Sequence, residues 1–266
     1  MAISNSVKNV TRNFVATVAW IVFLTATAYS QGANSADISG QWRFALDPQD
    51  RGVAENWYDQ LLADKLVLPG ILESQGFGYE ISTKTPWVLS LYDRNWFERQ
   101  DYKQYTKPGN VKVPFLSQPV RHYIGAAWYQ RDIEIPAAWK GKRIALNLER
   151  PHWESTLWLD DKKIGSARSL VAPHVFELGF IEPGKHRISV RVDNRMILPY
   201  RPDAHSVSDS LGSAWNGIVG KMELQATSPV WIDDAQVYAE DESKPVVVKF
   251  KTGNISGKAG SGTLTE

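Results

Sequence analysis

"KGKRIALNLERPHWESTLWLDDKKIG", Lys140 to Gly165, decides the fold class. Ile144, Leu146 and Leu148 alternate with Arg143, Ala145, Asn147 and Glu149, a period of two that belongs to extended chain and not to a helix. A second strand is predicted at Thr156 to Leu159, and "WKGK" and "DDKK" supply turns around the pair. Outward from this stretch the same pattern recurs. Trp42, Phe44 and Leu46 alternate with polar or small neighbours, and Ile188, Val190 and Val192 alternate with Arg187, Ser189, Arg191 and Asp193. Further strands are predicted at Tyr129 to Ile135, Val175 to Leu178 and Met222 to Ala226, with "EPGK" as another turn. Each alternation predicts one buried and one wet face, and half-buried strands at short spacing predict two antiparallel sheets packed face to face. The single helix-like piece is Val53 to Leu62. Without long helical crossovers, a parallel α/β sheet is disfavoured.

Composition narrows the classes. The chain has 266 residues, 43% apolar and 22% charged, enough to bury a sizeable core and far from the composition of disorder. Its 30 basic and 29 acidic residues leave a formal net charge of +1. No basic block interleaves with aromatics, so nucleic acid is not an expected partner. Eleven Trp and ten Tyr are unusual, because such amphipathic rings recur where one side is wet. Cysteine is missing from the sequence, which excludes disulfides, thiolate metal sites and lipoprotein acylation.

The first 30 residues carry Lys8 and Arg12, an apolar run from Phe14 to Leu24, and small residues at Ala26, Ala28 and Ser30. That order reads as a secretory signal peptide. The run from Phe14 to Ala28 covers 15 residues with three Thr inside, short of the roughly 20 that a membrane span needs. An exported protein, periplasmic or secreted, is therefore expected, with no membrane partner after cleavage.

Two stretches interrupt the strands. Residues 69–123 form an aromatic-rich insertion holding Phe77, Tyr79, Trp87, Tyr92, Trp96, Phe97, Tyr102, Tyr105, Phe115 and Tyr123 with little alternation; long loops of this kind are often functional. Asn194 to Ala214 is polar, contains two Pro, and leads to Trp215 at the lip of a strand. After Ser228 the pattern restarts with two or three strands. Fewer than the roughly seven that an immunoglobulin-type sandwich requires, they predict an open edge at Val246, Val248 and Phe250. The expected organisation is a signal peptide over 1–30, a sandwich over 31–228, and a partial second domain over 229–266.

The series "WYQRDIEIP", "KGKRIALNLERPHWESTLWLDDKKIG", "PHVFELGFIEPGKHRISVRVDN" and "WNGIVGKMELQATSPVWIDDAQVY", taken in order, resembles the N-terminal sugar-binding domain of glycoside hydrolase family 2, the β-galactosidase, β-glucuronidase and β-mannosidase group. The resemblance runs from about Asp37 to Glu240. It implies an all-β fold: a jelly-roll, galactose-binding-like sandwich followed by the opening strands of an immunoglobulin-like domain. In that family a TIM barrel then carries two catalytic Glu about 5 Å apart. A barrel takes about 250 residues and 38 follow Ser228, so the barrel and its carboxylates are expected to be missing from this polypeptide. Glu149 and Glu154 form a tempting pair, but Glu149 reads more simply as a solvated strand end.

The resemblance also implies which residues meet sugar. Asn110, in "PGNVKVP", matches an Asn whose amide suits neighbouring hydroxyls; Asn is equally a turn residue after "KPG". The family's Asp before the Gly-Ile strand falls on Leu211, and a slip of two residues reaches Asp209, which also fits an Asx turn. Trp215 and Asn216 are further candidates, an aromatic face to stack on a pyranose and an amide to orient it; Trp215 alternatively packs against a neighbouring domain. His205 lies in the same loop, as a sugar ligand or an ordinary loop residue. The five His show no metal-ligand spacing, so neither metal nor cofactor is expected. Three functions stay open: the N-terminal portion of an exported family 2 β-glycosidase with a glycan or oligosaccharide substrate, a free-standing carbohydrate-binding module, and a structural adhesion sandwich.

Overall fold

A computed structural model describes residues 34–85, 95–107, 110–112, 120–196, 214–238 and 246–260. In chain order its strands are β1 (Ser35–Asp37), β2 (Gly40–Asp47), β3 (Asp64–Leu68), β4 (Gly70–Ile71), β5 (Ala126–Ile135), β6 (Arg143–Pro151), β7 (Glu154–Leu159), β8 (Lys162–Arg168), β9 (His174–Gly179), β10 (Gly184–Asp193), β11 (Gly217–Thr227), β12 (Val230–Tyr238) and β13 (Val247–Asn254). Every pairing among the described residues is antiparallel. One sheet runs β3-β2-β5-β10-β7-β8; the other runs β1-β11-β6-β9 with β4 added beside β11. The predicted all-β jelly-roll sandwich is observed, and no barrel occurs among the described residues.

The alternation explains the core. Trp42, Phe44, Tyr129, Ile188, Val190 and Leu157 from the first sheet meet Ile144, Leu146, Leu148, Phe176, Met222 and Leu224 from the second in one buried cluster. Burying side chains of this size contributes about 1.5–3 kcal/mol each before entropy is counted. Edge strand β3 is blunted against further pairing by Gln75, whose side chain accepts from the Val67 N–H at 2.7 Å and donates to the Val67 carbonyl at 2.9 Å.

Two sequence expectations are corrected. The second face of β10 is not wet: Ser189 is 0%, Arg191 7% and Asp193 1% exposed. Residues 48–62 fold over that face, and the rings of Trp128 and Trp158 (4.9 Å between centroids) meet Trp57 and Tyr58 from the cover, Tyr58 stacking on Trp158 at 5.4 Å. Polar residues of β10 and its neighbour β5 become the cover's anchors, with Ser189 Oγ and Gln130 Nε2 both donating to the Tyr58 carbonyl, at 3.2 and 3.5 Å.

The cover is also not the predicted helix over Val53 to Leu62. It is a succession of turns in which Asn56 takes φ 55°, a left-handed conformation that ends any helical run. The chain approaches so closely here that a Cβ on Gly52 would lie 2.3 Å from the Trp128 indole nitrogen.

Within the 69–123 insertion, Trp96 is 1% exposed and packs with Ile81, Phe97, Tyr102 and Val111 in a small second core. β12 and β13 pair with each other as a separate two-stranded sheet. Their apolar side chains stay open to solvent; Val246 is 57%, Val248 48% and Phe250 49% exposed. Arg143 joins this hairpin to the sandwich, its guanidinium 3.8 Å from the centre of the Trp231 ring.

Candidate functional site

Register brings six chain segments to one end of the sandwich. Asp193 at the end of β10 pairs with Ala126 at the start of β5 and with Glu154 at the start of β7. Ile218, near the start of β11, pairs with Pro151 at the end of β6 and with Gly70 in β4. Trp215 and Asn216 stand at the entry to β11, on the lip of this end.

Asn216 is completely buried. Its Nδ2 donates to the carbonyls of Gly125 (3.1 Å) and Val192 (3.2 Å), and its Oδ1 accepts from the Tyr129 hydroxyl at 2.7 Å. Its backbone N–H donates to the Glu73 carboxylate at 3.1 Å, and its carbonyl accepts from Leu72 N–H at 3.0 Å. The amide is spent inside the protein, tying the insertion, β5, β10 and β11 together, and so serves structure where the sequence predicted a sugar contact. Burial, reinforced by the Glu73 charge, raises the Tyr129 phenol well above its ordinary value, so the hydroxyl stays a proton donor.

Trp215 is half-buried, between the buried Ala214 and Asn216. The His152 imidazole stacks on it with centroids 4.3 Å apart and planes at 19°. His152 Nδ1 also donates to the Trp215 carbonyl at 2.6 Å, and the His152 backbone N–H donates to Gly217 O at 3.1 Å. Gly217 has φ 151°, and a Cβ there would come within 2.3 Å of Gly70 O, so β4 and β11 meet backbone to backbone. His152, Glu73 and Tyr129 were not singled out from sequence for this site, since none carries a motif and their partners lie far away along the chain.

Beneath the lip, Asp193 receives Arg191 and Arg195, and both guanidiniums reach Asp50 at 2.6 Å. Burial works against the Asp193 charge, but the hydrogen bonds from Arg195 and the charge of Arg191 hold its carboxyl below the usual range. Trp153 Nε1 donates to Arg195 O at 3.1 Å, which connects this charged network to the residue after His152.

Asn110 is exposed, and its loop uses its amide: Nδ2 donates to Gln104 O at 3.0 Å and its backbone N–H to Lys107 O at 2.9 Å. That is the turn geometry the sequence allowed. His205 and Asp209 lie outside the described residues.

Glu149 and Glu154 serve the strands. Glu149 accepts from Lys221 N–H at 2.7 Å beside the β11 bulge, and Glu154 pairs with Arg168 across β7 and β8. Among the described residues no three His, Asp or Glu side chains converge as a metal cluster would require. A polar groove of about 660 Å³ opens at the opposite end of the first sheet, lined by residues that include Asp132, Asp160, His186 and Arg187. Its charges largely satisfy one another, Asp132 with Arg43 at 2.7 Å and Asp160 with His186 at 2.9 Å.

No family model matches the chain. A β-glucuronidase of Paenibacillus borealis is 22% identical over 231 residues, 80% of this chain and 33% of that protein. The β-galactosidase large subunit of Leuconostoc lactis is 26% identical over 163 residues, 58% of this chain and 24% of that protein. The chain is similar to family 2 glycoside hydrolases. It spans about a quarter to a third of the length of these curated relatives. The family 2 likeness extends to the fold: a Ruminococcus gnavus β-glucuronidase, solved in complex with D-glucaro 1,5-lactone, superposes with a TM-score of 0.56 at 16% identity, covering 84% of this chain and 34% of that one.

Proposed function

We propose that this chain is the amino-terminal portion of an exported family 2 β-glycosidase and supplies one wall of a saccharide site whose reacting carboxylates sit on a barrel domain outside these 266 residues. The observation that carries the reading is the half-exposed Trp215 on a rigid perch, in a sandwich that matches about a third of β-glucuronidases in sequence and fold. An aromatic face on a fixed backbone stacks well on the apolar face of a pyranose, and a glycan is the partner such a face fits. Asn110 and the loop bearing His205 and Asp209 supply polar contacts in this reading. The β12–β13 hairpin serves as the opening of an immunoglobulin-like domain, and residues 1–30 as the export signal.

The test is to assay the purified polypeptide on chromogenic β-glucuronide, β-galactoside and β-mannoside, and then to repeat the assay with the product of the full downstream reading frame. The chain alone is expected to give no turnover, and the continuation to encode about 250 residues of alternating strands and helices that restore it. Turnover that co-purifies with the 266-residue chain would overturn the division of labour.

A further inference from the structure

We infer that His152 is a positioning residue: it sets the plane of the Trp215 indole so that the opposite ring face is presented to a saccharide. This rests on the reading of Trp215 as the saccharide-facing ring. The backbone next to Trp215 is tied down by contacts of its own. Asn216 is held through its N–H, its carbonyl and its amide, and Gly217 abuts Gly70 with no room for a Cβ.

What a fixed backbone leaves free is the side-chain torsion of the indole. His152 acts on that freedom through two separable contacts, the ring stack at 4.3 Å and the Nδ1 hydrogen bond to the Trp215 carbonyl at 2.6 Å. The bond requires the proton on Nδ1, because a carbonyl only accepts. His152 is itself fixed by its backbone bond to Gly217 O and is 6% exposed. Little of its surface is left to meet a ligand, so it works through Trp215. Holding a large side chain in its bound rotamer before the ligand arrives removes an ordering cost on binding. Loss of the stack should therefore weaken binding by roughly 2- to 10-fold.

The experiment is an NMR titration of the full 266-residue chain with methyl β-D-glucuronide and with D-glucaro 1,5-lactone. It follows the Trp215 indole N–H resonance, assigned by its loss in Trp215→Phe. His152→Ala is expected to shift that resonance in the free protein and to raise the Kd by the stated factor. His152→Phe, which keeps a stacking ring and loses the Nδ1 bond, is expected to restore most of both. A merely structural role would lower stability in both variants without this rescue.

If Trp215→Ala abolishes the response while His152→Ala binds like the parent, the positioning role is overturned and Trp215 keeps its assignment. If Trp215→Ala binds like the parent, or neither probe perturbs the parent chain, the saccharide-facing reading of Trp215 fails and takes the role of His152 with it.

Discussion

Asn216 and Trp215 are neighbours in sequence with opposite fates, and backbone geometry at a strand entry accounts for it. Successive side chains in extended chain point to opposite sides, so Trp215 keeps partial exposure while Asn216 faces the interior, where Tyr129, Gly125 and Val192 engage its amide. Removing that amide strands several buried partners, each worth about 1–3 kcal/mol. Asn216→Ala is expected to lower the unfolding free energy by about 3 kcal/mol, read from the urea midpoint at unchanged slope. Gly217→Ala should destabilise by a similar or larger amount, because the new Cβ would meet Gly70 O at 2.3 Å with φ at 151°. Equal stability of that variant with the parent would contradict the close β4–β11 approach. From sequence, an amide and an indole at a strand lip were recognisable as unusual. Which of them turned inward was not, because the deciding partners lie 24 to 91 residues away.

Among the elements, the segment from Gln49 to Leu62 departs furthest from its sequence pattern. A helix was a fair reading of its composition, yet what it does is cover the Trp128 and Trp158 rings and clamp to β10 through Asp50, Arg191, Asp193 and Arg195. Alternation along β10 identified one buried face and could not announce that the polar face is buried too, since its cover comes from more than 120 residues earlier.

This clamp carries a pH dependence. In both Asp50 and Asp193 burial opposes ionisation, and the hydrogen bonds from Arg195 and the influence of Arg191 outweigh it, leaving both carboxyls below their ordinary value. Carboxyls depressed in the folded state stabilise it fully above the unfolded pKa of about 3.9, and that stabilisation is lost as pH falls further toward the folded values. Amides of residues 51–60 should therefore lose hydrogen-exchange protection as pH falls below about 4, after correction for intrinsic rates, ahead of those in β5. Asp50→Asn should show reduced protection already at pH 6. Protection unaffected by both acid and this substitution would remove the clamp from the account of the cover.

Across the whole molecule, the sandwich and the β12–β13 hairpin differ in how much they bury. An isolated two-stranded hairpin is at best marginally stable in water, and the apolar side chains of this one are open to solvent. The Arg143–Trp231 contact, between two half-buried side chains, contributes on the order of 1 kcal/mol. Truncation after Ser228 is expected to leave the unfolding midpoint of the sandwich within about 4 °C of the parent. Hairpin amides in the intact chain should exchange far faster than those of β6 and β11. A large drop in midpoint would show that the two units share more than this contact.

Period-two alternation, turn punctuation and the lack of long amphipathic helices determined from sequence alone that the chain is a two-sheet antiparallel sandwich, because a side chain's face in a strand follows from its position within a few residues. The buried second face of β10, the inward amide of Asn216 and the stacking of His152 on Trp215 were decided only by tertiary structure. Each depends on which distant segments the sheet register brings to the same end, and hydrogen bonds and ring contacts across such separations leave no local periodicity to read.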